Sequence, residues 1–313
     1  MKSPTHFFSC DWGTTNFRLR VVSTEDLTVL AEHASNWGVK ALNDRFGESD
    51  RTDRLFFFAE FLRLQLETFP EEHRHHPIIV SGMASANIGM RDLPYAELPI
   101  APGGLSFVFQ DLTPWPGQIL RLISGVQSNT GMMRGEETQA LGLLHWMDAG
   151  EEGVLLLPGT HSKHLLFRDG KFVDFSSYMT GELFDVLTKQ SILVNSVAPG
   201  EWTSQAGEAF RDGVRTGYAE GFTSHLFSIR ASQILRKTAP TDNYYHLSGL
   251  LIGDELSRLP QHQNIYLAGS GPLLRLYRFA METVMGASSL TVFQGDELAR
   301  ALLAGQREIM LRP

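Results

Sequence analysis

The chain is poor in cysteine. Its 313 residues carry one, Cys10. An intrachain disulfide is therefore excluded, and a reducing compartment is the simplest expectation. Cys10 lies in an apolar run and is expected to be a small buried hydrophobe, not a nucleophile. No apolar run approaches the length that spans a bilayer, so no membrane partner is expected. Residues 1–6 lack the charged head and apolar centre of a secretion signal, which makes cytoplasm the expected location. No basic stripe is present and the net charge is -8, which argues against nucleic acid as the main partner. What remains is 42% hydrophobic and 20% charged, the composition of a globular chain long enough for two domains.

One stretch organises the reading: Cys10-Asp11-Trp12-Gly13-Thr14-Thr15-Asn16-Phe17-Arg18. Residues 7–10 read as a buried strand, and strand character resumes at residues 19–22. Between them lies a tight hairpin tip with one carboxylate, two hydroxyls and a glycine. Glycine lets backbone approach a bulky anion, and exposed N–H groups with threonine hydroxyls can cradle phosphate oxygens. An acid beside phosphates makes sense if it holds a cation, directly or through water. Taken alone, the stretch is equally an ordinary hairpin with polar turn residues.

The rest of the chain repeats a plan. Residues 7–10, 17–23 and 27–32 give three strands with short turns, an antiparallel meander. Residues 36–43 read as a loop, and residues 52–69 as a helix with Leu55, Phe58, Leu62 and Leu66 on one face. A short buried strand at 78–80, a short helix at 83–90, an irregular proline-rich excursion at 91–118 and a strand at 119–124 follow. A helix then starts near Arg134-Gly135-Glu136-Glu137, where two acids suit the positive end of its dipole. In the second half, residues 154–157, 164–167 and 172–175 are strands. The first two flank a polar tip, Pro158-Gly159-Thr160-His161-Ser162-Lys163. After a long helix-forming stretch come a strand at 265–268, a helix opened by Gly269-Ser270-Gly271, a strand at 290–293 and a closing helix at 296–304. The two tips, Gly13-Thr14-Thr15 and Gly159-Thr160, occupy matching places, which suggests facing phosphate clamps on either side of a cleft. Residues of about 180–260 read as an inserted helical layer, a buttress or a homodimer surface.

Five strings carry a resemblance: Asp11-Trp12-Gly13-Thr14-Thr15-Asn16, Met133-Arg134-Gly135-Glu136-Glu137-Thr138-Gln139, Pro158-Gly159-Thr160-His161-Ser162-Lys163, Met179-Thr180-Gly181-Glu182 and Ser248-Gly249-Leu250-Leu251-Ile252-Gly253. Together, and in this order, they resemble the 2-dehydro-3-deoxygalactonokinase family of the actin-like ATPase superfamily. The resemblance implies an α/β fold of two ribonuclease H-like domains, each βββαβαβα. A cleft would lie between them, with a helical insertion in the second. The expected domains are 1–148, with the first phosphate loop, the sugar-acid site and the catalytic acid, and 149–313, with the second loop, the adenosine site and the insertion. The implied activity is ATP-dependent phosphorylation of 2-dehydro-3-deoxy-D-galactonate at its 6-hydroxyl, in galactonate catabolism. The alternatives are a kinase for another small sugar or sugar acid, or an ATPase sensor of the same superfamily.

The resemblance, joined to the chemistry of phosphoryl transfer, assigns roles. Asp11 would hold Mg²⁺ through water. Gly13, Thr14 and Thr15 would contact the β- and γ-phosphates from the first domain, and Gly159, Thr160 and Ser162 from the second. Arg18 and Lys163 are further candidates for the phosphates, and Gly269, Ser270 and Gly271 for adenosine and its α-phosphate. Glu136 would be the general base, with Glu137 the alternative. A sugar acid needs a cation or a ring of backbone N–H groups for its carboxylate, and Arg134 and Arg91 are the candidate cations. Asn16, Gly38, Ser81 and Tyr95 are candidates for its hydroxyls. His73, His75 and His76 look metal-like at first sight but are expected to form a solvated turn.

Overall fold

The structure, a computed structural model, describes residues 4–104, 106–260, 264–285 and 290–313. They fall into two compact units. One comprises Met1–Glu151, Arg168–Asp174 and Asp296–Pro313, the other Glu152–Phe167 and Phe175–Gly295.

The first unit opens with β1 (His6–Trp12), β2 (Phe17–Ser23) and β3 (Val29–Ser35), then α1 (Val39–Gly47) and α2 (Arg54–Leu66). It continues with β4 (Ile78–Gly82), β5 (Ala96–Glu97), β6 (Phe109–Leu112), β7 (Leu120–Ile123), β8 (Val126–Gln127), β9 (Met132–Met133) and α3 (Glu136–Leu143). Its main sheet has the order β3-β2-β1-β4-β7-β6. The β1–β2 and β2–β3 pairs are antiparallel, whereas β1–β4 and β4–β7 are parallel. The mixed directions follow from the connections. Short turns join the first three strands, while a long crossover carries the chain back for a parallel neighbour: α1 and α2 before β4, and the excursion that holds β5 and β6 before β7.

β1 is buried on both faces. Phe8, Cys10 and Trp12 pack with Phe58, Leu62 and Leu66 of α2, where Cys10 is the core hydrophobe expected. Burial of side chains of this size contributes roughly 1.5–3 kcal/mol each. α2 begins cleanly because the Asp53 carboxylate accepts the Phe56 N–H. On the opposite face Gln306 donates to the Cys10 carbonyl and to Ser81 Oγ. That residue belongs to the last helix, which closes the first unit.

The elements that follow are β10 (Gly153–Leu157), β11 (Ser162–Arg168), β12 (Lys171–Tyr178), α4 (Thr180–Gln190), α5 (Ser204–Glu220), α6 (Leu226–Arg236), α7 (Pro240–Leu256), β13 (Asn264–Ala268), α8 (Gly271–Val284) and β14 (Leu290–Phe293), all in the second unit except the β11–β12 turn, Arg168–Asp174, which is grouped with the first. α9 (Asp296–Met310) follows and returns to the first unit. The second sheet, β12-β11-β10-β13-β14, repeats the first, with an antiparallel β10–β11 pair beside parallel β10–β13 and β13–β14 pairs. The duplicated strand plan read from the sequence is thus present, and α4 to α7 form the inserted helical layer.

Three local readings change. Residues 36–43 are not all loop, because α1 begins at Val39 and buries Val39 and Leu42. Nine residues with two buried positions give too few repeats for the periodicity to show. Residues 83–90 form only a single 3-10 turn, Met83–Ser85, before the chain turns away. The excursion at 91–118 contributes β5 and the edge strand β6.

Helix pairs in both units touch backbone to backbone. A Cβ on Gly213, Gly217, Gly249 or Gly253 would lie 2.0 to 2.2 Å from a carbonyl oxygen of the facing helix at the α5–α7 crossing. At the α3–α9 crossing a Cβ on Gly142 would meet Ala301 O at 1.8 Å, and one on Gly305 would meet Thr138 O at 2.0 Å. No side-chain rotation relieves a clash with backbone, so the helices would have to part. Gly217→Ala is expected to lower stability by about 3 kcal/mol, at the upper end of overpacking costs. Gly47→Ala, whose Cβ would meet nothing within 4 Å, is expected to be near neutral. Denaturant midpoints measure both, and equal midpoints would refute the close crossing.

Candidate active site

In the first unit the site is built at the carboxyl ends of β1 and β4. The register sets Asp11 opposite Arg18 on β2 and beside Ser81 on β4. Paired residues project to the same face, so these three side chains share one side of the sheet. Burial pushes the Asp11 carboxyl above its ordinary range; Glu136 adds to the rise, while Arg18 and Arg20 oppose it. Asp11 therefore feels the negative charge of Glu136, which places both acids in one neighbourhood.

The turn after β1 is held from three directions. Trp12 is buried against Phe17, Phe58 and Phe61, and its Nε1 donates to Trp37 O at 3.1 Å. Gly13 N–H donates to Asn16 O at 2.9 Å and closes the turn. The amides opening α1 do the rest: Val39 N donates to Gly13 O at 2.9 Å and Lys40 N to Thr14 O at 3.1 Å. Gly38 permits this approach, since a Cβ there would lie 2.4 Å from Thr14 O. Thr14, Thr15 and Asn16 are left exposed at the tip. An open pocket of about 540 Å³ beside the turn is lined by Asp11, Gly13, Asn16 and Arg18 among others. Four of the residues singled out by sequence thus share one pocket, and Gly38 lies directly behind its turn.

The start of α3 rests on the end of β4. Gly82 and Gly135 have φ of +93° and +113°, values that favour glycine, and a Cβ on Gly135 would lie 3.5 Å from Gly82 Cα. A Cβ on Gly82 would lie 2.7 Å from Trp12 O. These contacts bring Glu136 to the sheet end that carries Asp11. The two adjacent acids then diverge. Glu136 is half-buried and its Oε2 accepts the Arg134 N–H at 3.1 Å. Glu137 is fully buried, accepts Gly135 N–H at 2.6 Å and Thr138 Oγ1–H at 3.0 Å, and caps its own helix. Burial, then the Glu136 charge, push the Glu137 carboxyl up to about 8.

Arg134 is fixed beneath this helix start. Its Nη1 donates to Ser85 O at 2.5 Å and Ser85 Oγ at 2.6 Å, and its guanidinium lies 4.3 Å from the centre of the Tyr95 ring. Its buried Nε makes no hydrogen bond among the described residues. Arg134 and Tyr95 are therefore brought together, and Ser85 joins them. Sequence reasoning passed over Ser85, which bears no signal beyond its place after the β4 strand. Ser81 is fully buried with its hydroxyl on Gln306. Arg91 is exposed, and its own N–H donates to Ala84 O. His73 and His76 pack with His6, ring centres 5.0 to 6.0 Å apart. Among the described residues no three histidine, cysteine or acidic side chains converge to hold a metal. A Mg²⁺ held by one carboxylate, water and phosphate fits that donor set, since this ion keeps much of its hydration shell.

The second unit repeats the device. Glu182 N–H at the start of α4 donates to Thr160 O at 3.0 Å, and a Cβ on Gly181 would lie 2.5 Å from Gly159 O. Gly159 and Thr160 stay at the tip. Ser162 and Lys163 instead open β11 and turn inward, the Ser162 hydroxyl to Tyr277 Oη at 2.9 Å and Lys163 Nζ to His161 O at 2.9 Å. Gly269 lies next to Pro158, 3.9 Å from a Cβ built on it, and Ser270 and Gly271 form the exposed start of α8. One turn further, Trp202, Tyr245, Pro272, Arg275, Leu276 and Phe279 line a cavity of about 260 Å³ that sequence reasoning did not find. Its aromatic members come from the loop before α5, from α7 and from α8, so no local spacing announces it.

Each sheet thus carries a glycine-backed polar turn, and the first also carries an acid pair at its carboxyl end, the groups that phosphoryl transfer uses. The family model for 2-keto-3-deoxy-galactonokinase matches residues 11–305. A protein of Rhizobium meliloti (strain 1021), named a probable 2-dehydro-3-deoxygalactonokinase, is 34% identical over 97% of both chains. The 2-dehydro-3-deoxygalactonokinase of Escherichia coli (strain K12) is 29% identical over 97% of both chains. A crystal structure of a candidate 2-dehydro-3-deoxygalactonokinase from Sinorhizobium meliloti, 32% identical, superposes with a TM-score of 0.83 over 97% of this chain and 99% of the other. The chain belongs to the 2-keto-3-deoxy-galactonokinase family.

The Glu137 carboxyl makes a pH-dependent contribution. Its folded value of about 8 lies above the ordinary 4.5, so the folded chain keeps a proton that the unfolded chain has lost. The stability it supplies is complete below about 4.5 and is lost as pH rises toward 8, by at most about 1.4 kcal/mol per pH unit. Glu137→Gln is expected to flatten the fall in denaturation midpoint between pH 5 and 8. Parallel profiles for the two proteins would refute the assignment.

Proposed function

We propose that this protein transfers the γ-phosphoryl group of ATP to the 6-hydroxyl of 2-dehydro-3-deoxy-D-galactonate. The observation that carries the reading is the convergence of Asp11, Gly13, Asn16 and Arg18 on one pocket, with the Glu136 charge acting on Asp11. In this proposal the half 1–148 binds the sugar acid and supplies the acids, and the half 149–313 binds adenosine. Cytoplasm is the proposed location; among the described residues no helix is long and apolar enough to cross a membrane. A homodimer through the helical layer is the proposed assembly.

The roles follow from the environments. Asp11 holds Mg²⁺ through water, and the bound ion supplies charge neutralisation on the phosphates. Thr14 and Thr15 present hydroxyls and amides from a turn whose carbonyls are already engaged by α1, which leaves its donors for phosphate oxygens. Gly159 and Thr160 do the same from the second unit, and Arg18 serves the γ-phosphate. Lys163 is assigned a supporting role through the His161 carbonyl, and Ser162 one in the packing of the tip. Gly269, Ser270 and Gly271 let the α-phosphate approach the start of α8. The adenine ring enters the adjacent cavity, where Trp202, Tyr245 and Phe279 offer aromatic faces and Arg275 a cation.

Glu136 removes the proton from the attacking hydroxyl. It is half-buried and it acts electrostatically on both neighbouring acids, whereas Glu137 is buried and protonated below its raised value of about 8. Glu137, kept protonated by burial, is left as the cap, and Glu136 is left as the base. Arg134, fixed by Ser85 and Tyr95, takes the substrate carboxylate. Asn16 and Tyr95 are left for the sugar hydroxyls, Gly38 and Ser81 serve through backbone packing, and Arg91 is the alternative cation.

A coupled ADP-release assay over a panel of 2-keto-3-deoxy acids tests the activity. Stimulation by the galactonate-derived acid is expected. Stimulation by a different sugar alone would assign another kinase, and hydrolysis independent of any acid would assign an ATPase sensor. Glu136→Gln is expected to keep nucleotide binding and lose roughly 10²- to 10⁴-fold in turnover, the range of a general base. A loss of only a few-fold would move the role elsewhere. Quenching of Trp202 fluorescence by ADP, abolished in Trp202→Phe, checks the adenine cavity; unchanged emission would refute it.

A further inference from the structure

A buried polar network lies inside the second unit, behind the Gly159–Thr160 tip. Glu255, on α7, is 2% exposed. Its Oε1 meets His164 Nε2 at 2.8 Å, and its Oε2 accepts from Tyr277 Oη at 2.7 Å and from Thr180 Oγ1. Tyr277 Oη also meets Ser162 Oγ at 2.9 Å. Burial and the neighbouring Glu255 push the Tyr277 phenol well above its ordinary value, so it is a neutral O–H donor. A phenol has one proton, and here it goes to Glu255. Ser162 must then donate its own proton to Tyr277. The Ser162 hydroxyl proton is therefore consumed inward.

We propose that Glu255 is a positioning residue for the nucleotide, because its one carboxylate ties together the three elements that carry nucleotide-facing groups. His164 and Ser162 belong to β11, which leaves the Gly159–Thr160 tip. Thr180 is the first residue of α4, whose Gly181 and Glu182 hold that tip. Tyr277 lies six residues past Gly271 on α8, the helix that opens with Gly269-Ser270-Gly271. A carboxylate accepts from all three sides at once. An apolar or amide group cannot, and a buried donor left without an acceptor is costly. The inference rests on the nucleotide roles proposed above for Gly159, Thr160 and residues 269–271.

The test is steady-state kinetics of Glu255→Gln in the full chain, with ATP and sugar acid varied separately and the dissociation constant for ADP measured alongside. The amide keeps volume but offers one acceptor atom, so at least one tie breaks. The KM for ATP and the ADP dissociation constant are expected to rise about tenfold, the effect of losing one net hydrogen bond in the network. The KM for the sugar acid should stay within about twofold. Thr180→Val removes one tie at equal size and should raise the KM for ATP, whereas Thr180→Ser keeps the hydroxyl and should restore it. These two variants carry the test if Glu255→Gln fails to fold. An unchanged KM for ATP in a folded variant, or equal rises in both KM values, would overturn the proposal. If wild-type protein turns over no acid, the kinase reading falls by itself, and the ADP dissociation constants still judge Glu255.

Discussion

Gly38 and Gly181 hold the two polar turns in place by letting backbone lie on backbone. In the first unit the amides of Val39 and Lys40 donate to the carbonyls of Gly13 and Thr14. In the second the amide of Glu182 donates to the carbonyl of Thr160. The Gly13, Thr14 and Thr160 carbonyls are thereby engaged, and a phosphate would meet the hydroxyls and N–H groups that remain. A helix start usually offers its free amides to an anion directly. Here it spends them on the turn, and in the proposed function the turn, held by those bonds, is what meets the phosphates. Any side chain at either glycine would sit within about 2.5 Å of a carbonyl oxygen and push the turn away.

The same economy of space recurs at Gly82 and Gly135. The carboxyl ends of β1 and β4 are paired, so Trp12 and Gly82 lie side by side. α3 can start there only because two glycines in succession remove the side chains that would stand between the helix and the sheet. That stacking sets the distance between Asp11 and Glu136. Burial supplies most of the rise in the Asp11 pKa, and Glu136, at the start of that helix, adds a smaller part.

Much of this was legible in the chain. Alternating and buried runs marked the strands, and the two Gly-Thr tips stood at matching places in a repeated plan. Asp11, Gly13, Thr14 and Thr15 could be named because acid, glycine and hydroxyls follow one another in a single turn. α1 was hidden by its length, since Val39 and Leu42 alone do not make a period. Ser162 and Lys163 look like part of an exposed tip because they are polar, yet β11 begins at Ser162 and pairing with β10 sets Lys163 opposite Leu157. Their burial is decided by Tyr277 and by the carbonyl of His161. Ser85 and Glu255 were passed over for the same reason. Arg134 lies 49 residues from Ser85, and Tyr277, Thr180 and His164 lie 22, 75 and 91 residues from Glu255, so no local pattern encodes such a meeting.

Glu136 and Glu137 show how adjacent identical residues acquire different chemistry. One α-helical step rotates the side chain by about 100°, enough to turn one carboxyl toward Asp11 and the other into the protein. Glu137 meets the amide of Gly135 and the hydroxyl of Thr138, both donors, yet burial outweighs them and the group stays protonated to about pH 8. The Glu136 charge contributes to that outcome, and the neutral Glu137 in turn spares Glu136 a second negative neighbour. Two charged neighbours would repel, so keeping Glu137 neutral lets Glu136 carry the charge of the pair. The positive φ at Gly135 starts α3 where Glu137 turns inward onto the Gly135 amide, so the difference between the two acids follows from the same glycine that lets α3 reach the sheet.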